Sequence, residues 1–301
     1  MEFVRTPAHR FLNLPDYPFA PHYVEVGEPA LRMHYVDEGP RNGPVVLMLH
    51  GEPSWSYLYR HMIPLCAEAG NRVIAPDLVG FGKSDKPTRL GDYSFAQHVA
   101  WMTDFVTRLD LQGVTLVCQD WGSLIGLRVA AENEARFARI ALSNGMLPTG
   151  ERSLPRAFKL WRAFAEKSPV LPVGAIVAMG TKRTLTPRER AAYDAPFPSK
   201  RHQAGARAFP SLVPASPRDP AAPANLRAWE VLDRWEKPFL LAFTDGDPIT
   251  RGADRYVAGR VPGTKGQPHV TLRGGHFVQE DAPDEFAAAV NDLVARTTPP
   301  R

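Results

Sequence analysis

An acidic side chain lies where the sequence predicts a sharp turn from a strand into a helix. Asp120 follows the apolar segment Val114–Cys118 and precedes a helical pattern, and it has small residues, Cys118 and Gly122, two positions away on either side. This is the spacing of a nucleophile elbow, in which bulk at the flanks would clash. A carboxylate with an ordinary pKa of about 3.9 is ionised at neutral pH and can attack a saturated carbon without help from a base. Asp120 is therefore the candidate covalent nucleophile, and helix capping is the simpler alternative for it.

An ester on Asp120 would have to be hydrolysed by water with the help of a general base. His276 is the candidate base, because it follows the last strand-like segment of the chain and parallel sheets keep their sites at the carboxyl ends of strands. The acid that orients this histidine should follow another strand. Asp245 and Asp247 both do so, and the residues alone leave the choice between them open. The order nucleophile, acid, histidine is the one that α/β-hydrolases use.

Hydrogen-bond donors accompany these three groups. The backbone amide of Glu52, in an HGEP tetrapeptide after an apolar segment, could stabilise an oxyanion together with the amide of Trp121. An indole N–H donates and never accepts, which suits a departing anion. Trp121 follows the nucleophile directly, and Trp161, in a helix-like segment, is the candidate for a second donor. Trp229 and Trp235 are rivals for that role, and both are more typical of packing residues.

Short apolar segments alternate with helical patterns along the chain. The apolar segments are typical of fully buried parallel strands, and they are Val45–Leu49, Val73–Ala75, Val114–Cys118, Ile140–Leu142, Phe239–Phe243 and His269–Leu272. Helical periodicity lies between or after them, in Phe95–Leu109, Leu124–Glu134 and Asp281–Ala295. The alternation predicts an α/β fold in which a mostly parallel sheet carries helices on both faces.

The strand pattern stops after residue 147. Helix-like pieces, Leu154–Glu166 and Pro187–Tyr193, follow it and are separated by prolines. A proline-rich linker would explain the prolines alone, but large apolar side chains lie among them, which favours a packed structure. We therefore expect a helical cap at residues 148–225, inserted between the two parts of the α/β core at 1–147 and 226–301.

Composition narrows the classes of function. The chain has 301 residues, of which 44% are hydrophobic and 23% charged, as in an ordinary globular enzyme. The net charge of +4 is small and no basic run interleaved with aromatic residues occurs, so we do not expect nucleic acid as a partner. The longest apolar stretch, Val170–Met179, is too short to span a membrane, so we do not expect a membrane as a partner either. The two cysteines lack the spacing of metal ligands, and the first residues lack the pattern of a signal peptide. These features favour a cytoplasmic enzyme that needs neither a metal nor a cofactor.

Several motifs together resemble those of haloalkane dehalogenases, particularly of the subfamily whose catalytic acid follows the cap. They are HGEPSWSYLYR, APDLVGFGKSDKP, VCQDWGSLIGL, YDAPFPSK, TDGDPIT and GGHFVQED. The resemblance covers nearly the whole chain. The QDWGS and HGEP motifs are narrow in their distribution, whereas DLVGFGKSDKP is common to many α/β-hydrolases and says little about substrate.

The resemblance implies an α/β-hydrolase fold with a helical cap and a role for each candidate residue. It implies Asp120 as the nucleophile, His276 as the base, Asp247 as the orienting acid, Trp121 and Trp161 as halide donors, and Glu52 with Trp121 as oxyanion amides. It also implies an apolar pocket lined by Phe158, Phe209, Pro210 and Val213. The expected reaction converts a haloalkane and water into an alcohol, a halide ion and a proton through an alkyl-aspartate, without a cofactor or metal. We expect the protein to be a monomer.

Three other functions compete with this interpretation. An epoxide hydrolase has a similar fold and triad, but it usually needs two cap tyrosines, and residues 148–225 contain only Tyr193. A serine hydrolase is disfavoured because neither Ser84 nor Ser123 lies in a G-x-S-x-G elbow. A binding protein that has lost catalysis would have a damaged triad. The stretch Glu166–Thr186 departs most from the family pattern, which leaves the size of the substrate open.

Overall fold

An eight-stranded sheet forms the centre of the protein, and its strands are those that the sequence predicts together with an additional hairpin. The structure is a computed structural model that describes residues 1–298. Its strands are β1 (Phe3–Val4), β2 (His22–Val26), β3 (Leu31–Glu38), β4 (Val45–Leu49), β5 (Arg72–Pro76), β6 (Lys86–Pro87), β7 (Val114–Gln119), β8 (Phe137–Ser143), β9 (Phe239–Thr244) and β10 (Val270–Leu272). The order in the main sheet is β10-β9-β8-β7-β4-β5-β3-β2, and β1 pairs separately with β6.

Six adjacent strands of the main sheet are parallel, namely β10, β9, β8, β7, β4 and β5. Beyond them β3 pairs antiparallel with β5, and β2 pairs antiparallel with β3 at the edge of the sheet. All six residues of β7 are buried, because the sheet is covered on both faces at its centre. Residues of β2 alternate between more and less exposed positions at the edge of the sheet. The hairpin of β2 and β3 lacks a continuous apolar pattern in its outer strand, because that strand is only half buried, and the sequence therefore did not predict it.

Helices cover both faces of the sheet and form the cap. They are α1 (Met62–Glu68), α2 (Phe95–Arg108), α3 (Trp121–Glu132), α4 (Arg156–Lys167), α5 (Val173–Met179), α6 (Pro187–Asp194), α7 (Ala204–Leu212), α8 (Ala222–Leu232), α9 (Ala253–Ala258), α10 (Val278–Asp281) and α11 (Pro283–Thr297). The predicted helices at 95–109, 124–134 and 281–295 correspond to α2, α3 and α11. The α/β fold with a mostly parallel sheet is confirmed.

Local sequence explains where the helices begin. Ser94 caps α2, since its side chain accepts a hydrogen bond from the backbone N–H of Gln97 at 3.1 Å. Thr186 and Glu189 form a capping box at the start of α6. α3 begins at Trp121, three residues before the predicted start, because the chain turns into the helix directly after Asp120.

The segment between β8 and α8 is helical and contains no strand in the part of the chain that the structure describes. Its two ends lie side by side. The Asn225 side chain donates to the Pro148 carbonyl at 2.7 Å, and the Trp229 indole donates to the Leu147 carbonyl at 2.8 Å. The predicted boundary at residue 225 falls inside α8. This helix is bonded through Asn225 and Trp229 to the residues at which the chain leaves the core. We propose that residues 148–225 form the cap.

Within residues 1–298, none of the helices is both long enough and apolar enough to cross a lipid bilayer.

Candidate active site

Asp120 lies in a strained backbone conformation at the tip of β7. Its φ of 50° and ψ of −128° fall outside the ordinary helical and extended regions. Close backbone approach requires glycine around it. A Cβ atom at Gly122 would lie 2.0 Å from the Leu49 carbonyl oxygen, and one at Gly51 would lie 2.5 Å from Asp120 Oδ1. These contacts make the turn a nucleophile elbow that exposes the carboxylate above the carboxyl end of the sheet.

The structure brings the three predicted triad residues together. His276 Nε2 lies 3.4 Å from Asp120 Oδ2, and His276 Nδ1 lies 3.1 Å from Asp247 Oδ2. Asp247 is held in turn by the backbone N–H groups of Ile249 at 2.9 Å and Thr250 at 3.2 Å. Asp245 has a different role, because it accepts a hydrogen bond from the Gly274 N–H at 3.1 Å. Of the two acids that follow β9, Asp247 is thus the one that faces the histidine.

The charges around His276 favour its protonated form in the free protein. Burial disfavours the imidazolium, but Asp120 and Asp247 outweigh that effect and raise the pKa of His276 to about 10. Burial likewise disfavours the Asp247 carboxylate, yet the His276 contact and the Thr250 hydroxyl lower the pKa of Asp247 to about 2. The two acidic side chains, one facing each ring nitrogen, thus favour the imidazolium form of His276.

Glu52 contributes two different groups to the site. Its backbone N–H donates to Asp120 Oδ1 at 2.7 Å, as expected of an oxyanion donor. Burial and the Asp120 charge raise the pKa of the Glu52 carboxyl well above its ordinary value, while the Trp161 indole acts in the opposite direction. The Glu52 Oε1 atom is buried and has no hydrogen-bond partner among residues 1–298. The amide of Trp121 stays a prediction as the second oxyanion donor.

A cavity of about 470 Å³ lies between the elbow and the cap. The residues that line it come from the core loops and from the cap: Glu52, Pro53, Asp120, Trp121, Phe158, Trp161, Ile176, Met179, Gly180, Thr181, Lys182, Gly246, Pro248, Ile249, Gly275, His276 and Phe277. Both candidate halide donors and the carboxylate thus share one largely apolar space. A cavity of this size suits a small apolar ligand held by a few polar groups.

Phe158 lines this cavity, whereas the other three residues expected in its wall do not. The Phe209 ring stacks on the Trp121 indole with centroids 4.3 Å apart and an angle of 27°, and it is fully buried. Pro210 and Val213 are buried near it in and after α7. Phe209 thus packs against the Trp121 indole, and none of these three residues is part of the cavity lining.

The rival tryptophans and the cap tyrosine lie elsewhere. The Trp229 indole N–H is bonded to the Leu147 carbonyl, and Trp235 is fully buried in the core. The Tyr193 hydroxyl contacts the Glu280 carboxylate. None of these three residues lines the cavity that contains Asp120.

Two polar residues that were not singled out in the sequence also contact the triad. Gln119 donates from its side chain to the His276 carbonyl at 3.1 Å and lies 3.1 Å from His276 Nε2. The Asn144 carbonyl accepts the Asp120 N–H at 3.0 Å, and the Asn144 side chain donates to the His276 carbonyl at 3.0 Å. Asn144 follows the last residue of β8, so its place at the carboxyl end of a parallel strand could have identified it.

One cluster in residues 1–298 has the spacing of metal ligands, since side-chain atoms of His61, Glu189 and Glu280 lie within 4.8 Å of one another. Two guanidinium groups already occupy these carboxylates. Arg60 lies 2.6 Å from Glu280 and 2.9 Å from Glu189, and Arg183 contacts both acids as well. Because the arginines supply the positive charge that a metal would bring, the cluster is an ion-pair network between core and cap.

Comparison with known proteins agrees with the fold and the motifs. A family model described as the alpha/beta hydrolase fold matches residues 44–283. A protein of Mycobacterium marinum named haloalkane dehalogenase is 57% identical over 293 residues, which cover 96% of this chain and 99% of that protein. A haloalkane dehalogenase of Psychrobacter cryohalolentis is 52% identical over 291 residues, covering 95% of this chain and 96% of the relative.

Solved structures give the same result. The haloalkane dehalogenase DpaA from Paraglaciecola agarilytica, described as tetrameric, superposes with a TM-score of 0.90 at 36% identity and covers 99% of both chains. The haloalkane dehalogenase DbeA from Bradyrhizobium elkani gives a TM-score of 0.79 at 26% identity, with 93% of this chain and 98% of that chain covered. With an elbow aspartate, a facing histidine and relatives above 50% identity over nearly its whole length, the chain belongs to the haloalkane dehalogenase family of the α/β-hydrolase fold.

Proposed function

We propose that this protein hydrolyses haloalkanes to the alcohol, a halide ion and a proton, with Asp120 as the covalent nucleophile. The observation that carries the proposal is the placement of the Asp120 carboxylate in one cavity with Trp121 and Trp161. An ionised carboxylate in an apolar space can displace a leaving group from a saturated carbon, and two indole donors can receive that group as an anion.

In the first step an Asp120 oxygen forms a bond to the carbon while the carbon-halogen bond breaks and its electron pair leaves with the halide. The product is an alkyl ester of Asp120. Trp121 and Trp161 hold the halide through their indole N–H groups. The apolar wall, which includes Phe158 and Ile176, limits the water that would otherwise solvate the Asp120 carboxylate and weaken it as a nucleophile.

In the second step a water molecule attacks the ester carbonyl carbon and His276 accepts its proton. The ester no longer carries the negative charge that holds a proton on His276, so alkylation lowers the pKa of the imidazole and frees Nε2 to act as a base. The Glu52 N–H stabilises the oxyanion on the former Asp120 carboxylate. The bond from the carboxyl carbon to the alkoxy oxygen then breaks, and the hydroxyl proton of the intermediate passes to the alkoxide to give the alcohol. This restores the Asp120 carboxylate and the protonated His276, so the proton released overall is the one that His276 loses to solvent on alkylation.

Glu52 is a candidate for placing the attacking water. In the part of the chain that the structure describes, its buried Oε1 has no hydrogen-bond partner, and Glu52 lines the cavity together with Asp120. Buried polar atoms are rarely left unpaired, so a water molecule bound there would satisfy the oxygen and stand next to the ester.

Replacement of Trp161 tests its role as a halide donor. We expect Trp161→Phe to weaken bromide binding by roughly 10- to 100-fold, because a hydrogen bond to a charged partner contributes about 1.5–3 kcal/mol and 1.4 kcal/mol is tenfold. The measurement is the inhibition constant of bromide as a product inhibitor. Trp235→Phe is the matched control, since the Trp235 indole N–H is buried, has no hydrogen-bond partner among the described residues and lies outside the cavity lining. Equal inhibition constants in both variants would remove Trp161 from the halide site.

The activity itself is tested with two substrates. We expect release of bromide from 1-bromobutane and no diol from styrene oxide. Opening an epoxide needs an acidic hydroxyl near the oxygen, and the cap tyrosine Tyr193 is turned toward Glu280. Diol formation without bromide release would replace the proposal by an epoxide hydrolase.

The remaining expectations concern assembly and location. We propose a monomer in the cytoplasm with a halogenated alkane as its only substrate besides water. The two cysteines are free and buried, which suits a reducing compartment. Since one related structure is described as tetrameric, the assembly of this chain is decided by its mass in solution, for which a monomer would give 33.3 kDa.

A further inference from the structure

The cap is bonded directly to the loop that carries the base. The segment 180–183, which follows α5, lies against residues 274–277, and both segments line the cavity. The backbone N–H of His276 donates to the Gly180 carbonyl at 2.7 Å. A Cβ atom at Gly275 would lie 2.3 Å from that same carbonyl oxygen, so glycine is required for the approach. The position of His276 therefore depends on the position of a cap segment.

One carboxylate joins the two segments. Asp281, the last residue of α10, accepts the N–H of Lys182 at 2.9 Å and of Arg183 at 2.8 Å, both in the cap. Its Oδ2 atom also accepts the N–H of Gly275 at 2.7 Å, next to the base. Charged acceptors form stronger hydrogen bonds than neutral ones, and here three backbone groups from two segments converge on one side chain.

Neighbouring contacts fix this carboxylate in place. Arg183 donates to the Glu280 carbonyl at 2.8 Å, one residue before Asp281. The Glu280 carboxylate is bound by Arg60 of the core at 2.6 Å. The short helix that carries Asp281 is thus anchored on both sides, and it cannot shift without breaking buried ion pairs.

We infer that Asp281 is a positioning residue for the second half of the reaction, in which water hydrolyses the alkyl ester. This inference rests on the proposed function. Asp281 lies outside the cavity lining and acts through Gly275 and the cap segment 180–183 on the placement of His276. Displacement of the halide needs the Asp120 carboxylate and the indole donors, whereas transfer of a proton from water needs Nε2 of His276 at hydrogen-bond distance. A displaced base therefore slows hydrolysis and leaves alkylation unchanged.

The experiment compares the two half-reactions in Asp281→Ala and the parent enzyme. Rapid-quench halide release measures the first turnover, and mass spectrometry of the quenched protein measures the fraction of Asp120 that is alkylated during steady turnover of 1-bromobutane. We expect kcat to fall roughly 10- to 100-fold, as misplacement by about 1 Å can cost 100-fold. We expect the first halide to be released within about twofold of the parental rate, and the alkylated fraction to rise.

Two further variants complete the design. Asp281→Asn keeps one acceptor oxygen without the charge, so its kcat and alkylated fraction should lie between those of the parent and Asp281→Ala. If the alanine variant does not fold, Asp281→Asn takes its place in the comparison. Asp284→Ala removes an exposed acid three residues away and should match the parent.

The possible outcomes separate clearly. An equal loss of first-turnover and steady-state rates in both Asp281 variants, without a rise in the alkylated fraction, would show a purely structural role and overturn the inference. Parental kinetics in both variants would overturn it as well. If the parent releases halide normally, the proposed function stands in either case. If neither the parent nor His276→Phe ever carries an alkyl group on Asp120, the proposed function and this inference both fail.

Discussion

Replacement of Asp120 by alanine should reduce halide release by about 10⁴-fold or more, the scale on which loss of a covalent nucleophile acts. The alternative nucleophile, water, would have to attack the carbon directly within an apolar cavity. Loss of the Asp120 charge lowers the pKa of His276, but the ester that a water activated by His276 would hydrolyse cannot form in this variant. The measurement is bromide release from 1-bromobutane over hours at high enzyme concentration.

Asp120→Asn provides the matched control for this prediction. The amide keeps the volume of the side chain and can accept the N–H of Glu52, so the elbow should retain its shape. It cannot attack carbon, and we expect it to be as inactive as the alanine variant while its unfolding temperature stays close to that of the parent. Substantial turnover in either variant would mean that no alkyl-aspartate forms.

The second large effect is expected from His276→Phe. This variant should release about one halide per protein molecule and then stop, because the ester forms but no base activates water to hydrolyse it. The alkyl group should be found by mass spectrometry on the peptide that contains Asp120. Steady-state turnover should fall by a factor on the order of 10³ or more, while the first halide is released at a rate near that of the parent.

His9→Phe is a suitable control for the histidine prediction, since His9 is exposed near the start of the chain and is not among the residues that line the cavity. It should turn over like the parent and carry little alkyl group in the steady state. An unmodified Asp120 peptide in His276→Phe, together with complete loss of halide release, would instead place His276 in the first step. Taken with Asp120→Ala, the experiment distinguishes a missing nucleophile from a missing base.

The sequence determined most strands and helices of the core and two candidate members of the triad, Asp120 and His276. Fully buried strands such as β4 and β7 are continuous apolar segments, and the helices between them keep their periodicity, so both patterns are local. The elbow spacing around Asp120 is also local, since it depends on residues within two positions. Asp247 and His276 could be proposed because the carboxyl ends of parallel strands meet at one edge of a sheet.

The hairpin of β2 and β3 and the choice between Asp245 and Asp247 were not decided by the residues alone. The hairpin lies at the sheet edge, where strands lose the continuous apolar pattern. Both acids follow β9 within three residues, and only the turn after Thr244 directs one toward His276 and the other toward Gly274. The family resemblance implied Asp247, which is the acid that faces His276 in the structure.

What only the tertiary structure decided is how the cap meets the core. The apolar cap residues Phe158 and Phe209 look equivalent in the sequence, yet one faces the cavity and the other stacks behind Trp121. The contacts of Asp281 with Lys182 and Gly275 join segments almost a hundred residues apart, as the separation of 99 positions between Asp281 and Lys182 shows. Periodicity and spacing describe a chain along its own length, and neither can specify which distant surfaces pack against each other. The candidate reactive residues could therefore be identified from short segments of the sequence. The shape of the cavity and the placement of His276 depend on packing between cap and core.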